Sequence, residues 1–278
     1  MRLPVSGLTV RFRAPNGNDD LAILEAVGGA VERALAILPR LTQLAEAANA
    51  AHSGGEDTPL GREDTQRVWR SLTVTDFETA LLGLRSFLFG DRVACLFRDN
   101  SHGCGERMEL EFSIAAFLED ARPAAPRGVE RPSGDTHWFR LAGHDDAPVR
   151  FRLPLVEDQL EVMGKPKSEL LLARRCIDST VLGARARARV ERAMEALAPP
   201  VSRPLTGNCP ACGEPVAIAL HVPRLVMEEL EAFSAGTHEE VDAIAAAYHW
   251  DEAAILAMPQ QRRRAYAETI RRREQVGA

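Results

Sequence analysis

Nowhere in the chain do about eighteen apolar residues follow one another, so no segment is able to cross a bilayer as a helix. The stretch from Met1 to Asp20 has no apolar core of the signal-peptide kind, so a cytoplasmic protein is expected. Cysteine is scarce and odd in number, five in all, which excludes a fully paired disulfide framework and fits metal ligation plus a spare buried thiol. Lysine is nearly absent: Lys165 and Lys167 are the only two, and arginine supplies the rest of the positive charge. Catalytic signatures are missing as well. His238-Glu239 is followed by Asp242 where a zinc protease needs its second histidine, and Gly164-Lys165 lacks the glycine before and the hydroxyl residue after that a phosphate loop requires. There is no Gly-x-Ser-x-Gly elbow. With a net charge of −6, the chain as a whole is no electrostatic match for nucleic acid, and no small-molecule substrate is indicated.

What is present centres on Asn208-Cys209-Pro210-Ala211-Cys212-Gly213. Two thiolates two residues apart across a tight turn converge on one ion, and the following glycine permits the backbone conformation that closes the turn. A structural zinc wants four ligands, so Cys209 and Cys212 are half a site. Cys104-Gly105 resembles the exit of a second knuckle, but position 101, where its first cysteine belongs, is Ser101. Cys95 or His102 is left to supply the fourth bond, since thiolate sulfur and imidazole nitrogen both ligate zinc, and Cys95 is preferred across a lengthened loop. The competing reading is a site that has lost its metal and is held by packing. Cys176 lies on a helical apolar face and reads as a small buried hydrophobe.

At 278 residues, 45% of them hydrophobic, the chain is long enough for two modest domains or one with insertions, and is not disordered. Val5, Leu8, Val10 and Phe12 are spaced for an opening strand. A helix capped by Asp19 follows, broken by Pro39, with a further helix over 41–51. Thr75-Asp76-Phe77-Glu78 and Thr237-His238-Glu239-Glu240 both read as capping boxes. Arg92 to Phe97 and Glu106 to Ile114 alternate as a hairpin, Trp138 to Leu141 and Val149 to Leu153 form another strand pair, and Glu169 to Leu197 reads as one helix. Asp251 caps a late helix and Pro259 opens the last. The cysteine-tipped extended segment occurs twice, at 92–114 and 205–222.

The expectation is therefore an α+β fold, with zinc-ribbon-like β hairpins flanked by amphipathic helices. Its parts are N-terminal helices plus the first knuckle hairpin (1–120), a proline-bearing linker (121–136), an inserted strand-helix region (137–198), and the second knuckle with C-terminal helices (199–278). One structural zinc is expected, on Cys95, Cys104, Cys209 and Cys212. The last helix carries Arg262, Arg263, Arg264, Arg271, Arg272 and Arg273, which suit either an acidic protein surface or, as the alternative, nucleic acid bound by a zinc ribbon with a basic helix. A zinc hydrolase would need an open coordination position.

Taken in order, these pieces resemble the baseplate (hub) assembly proteins of T-even-type phage tails, found in contractile phages and in loci for contractile injection systems. The matching residues run from Leu72 through Asp76, Leu81 through Arg85, Phe89 through Arg92 and Cys104 through Phe112. They continue with Phe151 through Pro154, Asp158, Leu170 through Cys176, Cys209 through Gly213, Ala246 through Glu252, Ile255-Leu256 and Arg262 through Tyr266. From Leu72 to Tyr266 they span roughly two-thirds of the chain. Ser101 and the N-terminal region depart from the pattern. The resemblance implies a non-enzymatic role: an assembly factor or component that meets baseplate, hub or spike proteins of a contractile tail. Tyr248, Trp250 and Tyr266 are the candidate interface anchors.

Overall fold

The structure is a computed structural model, and it describes residues 1–45, 62–98, 104–132, 137–142, 148–178 and 183–277. The chain divides into two units by internal contact: Met1–Val10 with Leu44–Val222, and Arg11–Gln43 with Pro223–Ala278. The four consecutive segments read from the sequence are thus grouped differently in space. Both units are assembled from stretches far apart in the chain. Among the described residues no helix is long and apolar enough to cross a membrane.

Strand β1 (Thr9–Phe12) leads to α1 (Gly17–Leu24) and α2 (Ala30–Leu41), and β2 (Thr42–Ala45) returns to pair with β1. The cap of α1 is Asn16, not Asp19; Asp19 sits at the third helical position and its carboxylate accepts from the Asn16 N–H, completing a reciprocal box. Pro39 does not end α2. It falls in the last turn, and the helix continues to Leu41. The expected helix over 41–51 is replaced by β2 as far as Ala45; its remainder lies outside the described residues.

Next come α3 (Arg62–Ser71) and α4 (Val74–Phe89), then the hairpin of β3 (Arg92–Arg98) and β4 (Arg107–Ser113), then α5 (Ile114–Glu119). α4 is buried over eleven consecutive residues, Thr75 to Arg85, as a central helix must be. Thr73 caps it by accepting from the Asp76 N–H, and Gly90 closes it with a positive φ of 89°.

The stretch 121–136, expected as a linker, contributes β5 (Val129–Glu130) to a three-stranded antiparallel sheet with β6 (Trp138–Leu141) and β7 (Val149–Arg152). Helix α6 (Val156–Val162) follows. The single helix expected over 169–197 is two, α7 (Ser168–Cys176) and α8 (Ala184–Leu197). Between them Ile177 bridges to Phe151 and the Asp178 N–H donates to the Arg150 carbonyl, so the chain is drawn onto the sheet edge. Phe139 and Phe151 stack at 5.5 Å, and with Leu141, Leu153, Ile177, Val190 and Ala193 they form the core between sheet and α8.

A second hairpin, β8 (Pro204–Asn208) with β9 (Pro215–Ala219), completes this unit. The chain ends in α9 (Val222–Ser234), α10 (Thr237–Tyr248), α11 (Glu252–Leu256) and α12 (Gln260–Gly277). Asp251 caps α11 and Pro259 immediately precedes α12, as the sequence indicates. In this helical unit Ile244, Ile255 and Ile270 make a small core. Its polar centre is Arg263, fully buried, which donates to Asp20 on α1 and to Glu240 and Thr237 on α10. Gly17 is required beside it. A β-carbon there would lie 2.6 Å from the guanidinium and 2.8 Å from the Leu256 backbone.

A candidate metal centre between two hairpins

Helix α4 sets the site. Glu78 and Arg85 lie seven residues apart, two turns along one side of that helix, and each fastens the base of one hairpin. Arg85 donates to the carbonyls of Gly90 and Arg92, both at 2.6 Å, at the entry of β3. Asp91 then closes the same base. Its carboxylate accepts from the Ser113 hydroxyl and the Ala115 N–H, which together hold it below the usual carboxylate range. On the other hairpin, Ser202 donates both its N–H and its hydroxyl to Glu78, each at 2.7 Å, while its oxygen accepts from the Val222 N–H. Ser202 therefore ties the two ends of the β8–β9 hairpin to one buried carboxylate. Burial pushes that carboxyl above its ordinary range in spite of the two bonds. Arg203 adds a third fastening, donating to the Phe117 carbonyl and lying 4.4 Å from the Phe117 ring centre.

With their bases fixed on one helix, the hairpins meet towards their tips. Leu110 of β4 approaches Gly207 of β8, and Met108, Phe97, Val216, Cys104 and Cys209 form one small apolar cluster. Beyond it the sulfurs of Cys104, Cys209 and Cys212 all lie within 4.8 Å of one another. The Cys104 and Cys209 sulfurs are 3.9 Å apart, although 105 residues separate them in the chain. None of the cysteines is in a disulfide. The two half-sites share a device: each is followed by a glycine in the left-handed region, Gly105 at φ 70° and Gly213 at φ 76°. In the second knuckle the Gly213 N–H donates to the Cys209 carbonyl and the Cys209 N–H to the Glu214 carbonyl, both at 2.8 Å, which makes the turn tight.

The donor set fits a soft divalent ion. Tetrahedral zinc with bonds of about 2.3 Å to sulfur places ligand sulfurs about 3.8 Å apart, close to the separation seen here. The three thiols can hold a metal ion.

The structure does not bring Cys95 into this group. Cys95 pairs with Leu110, three residues back along β3 from the last ladder pair, Arg98 with Arg107. That is about 10 Å of strand, too far to share an ion with a cysteine beyond the ladder's end. It lies on the same side of the strand as Phe97, so the side of the sheet is right and the height is wrong. His102, the other candidate, lies outside the described residues. Cys176 is fully buried, and burial pushes its thiol up to about 11, which leaves it protonated and unreactive.

Sequence reasoning passed over the charges that fix these elements. Asp158 accepts from Arg152, Arg175 and the Leu155 N–H; burial alone would raise its carboxyl, but these bonds hold it at about 2. Asp76 accepts from the N–H groups of Val5 and Ser6, docking the N-terminal turn on α4. On α12 the arginines divide. Arg263 is buried in its ion network, Arg264 pairs with Glu240 and Arg272 with Glu268, which leaves Arg262, Arg271 and Arg273 outside any ion pair among the described residues. A search of protein-family models, curated proteins and solved structures finds no match to the chain.

Proposed function

We propose that this chain is a non-enzymatic assembly factor or component of the baseplate or spike hub of a phage tail or contractile injection system, working through protein–protein contacts. Its rigid part is a zinc-ribbon-like pair of hairpins clamped by a structural zinc. The observation that carries the reading is the convergence of Cys104, Cys209 and Cys212 from hairpins seated on one helix. It is supported by the ordered resemblance of the surrounding segments to baseplate hub assembly proteins.

In this reading the three thiolates hold the ion, and the ion offsets the entropy of closing a loop of about a hundred residues. Glu78, Arg85 and Ser202 bring the thiols to bonding distance before the metal arrives, so binding stiffens a surface already formed. Tying together the only converging thiols of the described residues, the metal acts as a fastening and not as a reaction centre. The partition of the α12 arginines favours docking on protein over nucleic acid, because half of that charge is spent inside the helical unit.

Deleting the gene in a producing cell tests the role. Electron microscopy should then show tubes and sheaths without completed baseplates, restored by the wild-type chain supplied in trans. Contractile particles of normal form and number in the deletion would overturn it.

A further inference from the structure

Both tyrosines of the chain and one of its three tryptophans gather in one place. Tyr248, at the end of α10, stacks on Trp250 with ring centres 5.0 Å apart; Tyr266 of α12 meets both edge-on, at 5.7 and 5.3 Å. Trp250 remains 37% exposed, high for the largest apolar side chain. The rings touch one another, so they enclose no cage for a small ligand, but they present an aromatic surface of the kind found at interface centres.

The rim of this surface carries both signs of charge. Asp251 and Glu252 follow Trp250 directly and are exposed. On the Tyr266 side, Arg262 lies 5.8 Å from the ring centre, and Arg273 falls on the same side of α12 three turns further on. Among the described residues Glu252, Arg262 and Arg273 form no ion pair, although Arg264 and Arg272 on the same helix do. A partner of one charge sign would be repelled by half of such a rim. A surface with acidic residues beside Trp250 in the chain and a basic one against Tyr266 is complementary to itself when turned about a two-fold axis.

We propose that this face binds a second copy of the same chain, with Trp250, Tyr248 and Tyr266 at the centre and Glu252 of each copy opposite Arg262 of the other. The inference does not depend on the metal centre. Sedimentation of the full chain at low salt tests it. The wild type dimerises, and salt of about 0.5 M weakens association because the rim charges are screened. Glu252→Arg and Arg262→Glu each weaken it about tenfold or more, since each places like charges across the axis. An equal mixture of the two variants, and the double variant, recover wild-type association, which simple damage to the fold would not allow. A wild type that stays monomeric up to roughly 100 µM, where a micromolar interface is mostly formed, overturns the proposal. So do reversals without effect, or a mixture that fails to recover. Quenching of tryptophan emission by single-stranded thymidine oligonucleotide, abolished in Arg262→Glu, would assign the face to nucleic acid instead.

Discussion

The hairpin pair and the helical unit face the same problem, fastening segments distant in sequence, and they solve it with different chemistry. In the helical unit a buried guanidinium joins residues up to 243 positions apart, from Asp20 to Arg263, and the chain supplies both signs of charge itself. At the hairpins three thiols from two segments meet, Cys104 and Cys209 being 105 positions apart, with no opposite charge among them. Thiolates crowded within 4.8 Å repel one another unless a cation lies between them. The first arrangement draws both its charges from the chain; the second, in the proposed reading, is closed by an ion. That difference separates what zinc, in the proposed reading, controls from what it leaves alone.

The largest effect belongs to the thiols. Structural zinc contributes on the order of 10 kcal/mol to small metal-dependent folds, so Cys209→Ser should abolish zinc uptake and remove the chelator-sensitive part of the melting curve. Next is Arg263→Ala. It strands Asp20 without its counter-charge and leaves Glu240 only Arg264, at a cost of about 3–5 kcal/mol, and should lower the melting temperature equally with and without zinc. A chelator-dependent loss in this variant would break the contrast between the regions.

A smaller effect comes from Asp158, whose carboxyl is held at about 2 by Arg152 and Arg175. A depressed folded value means stability that is full above the unfolded value near 4 and is lost as pH falls towards 2, at most about 2 kcal/mol. Asp158→Asn should flatten the acid limb of stability measured over that window. The smallest effect is expected of Cys95→Ser. Zinc stoichiometry should be unchanged and stability altered by less than about 1 kcal/mol, because the residue stands outside the converging group. Loss of zinc from this variant would restore Cys95 as a ligand.

Much of the fold was legible locally. Strict alternation from Arg107 to Ser113 announces a strand, Cys209-x-x-Cys212 announces a knuckle, and Gly90 and Asp251 mark helix ends by chemistry that needs no partner. What was not legible depends on tertiary contacts. Spacing shows that Cys95 is near Cys104 in the chain, but ladder register sets its height on the strand, and register is fixed by the pairing of Arg92 with Ser113. The two expected capping boxes fail for a related reason: Glu78 is recruited by Ser202 and Glu240 by Arg263, each from far along the chain. Pro39 was over-read as a stop because its position within the last turn of α2 was hidden.

The decisive measurement is the metal content of the full chain purified from zinc-supplemented cells, by plasma mass spectrometry against protein concentration. One zinc per chain, absent from the Cys209→Ser variant and retained by Cys95→Ser, is the result this account predicts. A folded wild-type chain that carries no metal would contradict it, and would leave the three cysteines as a packed core and nothing more.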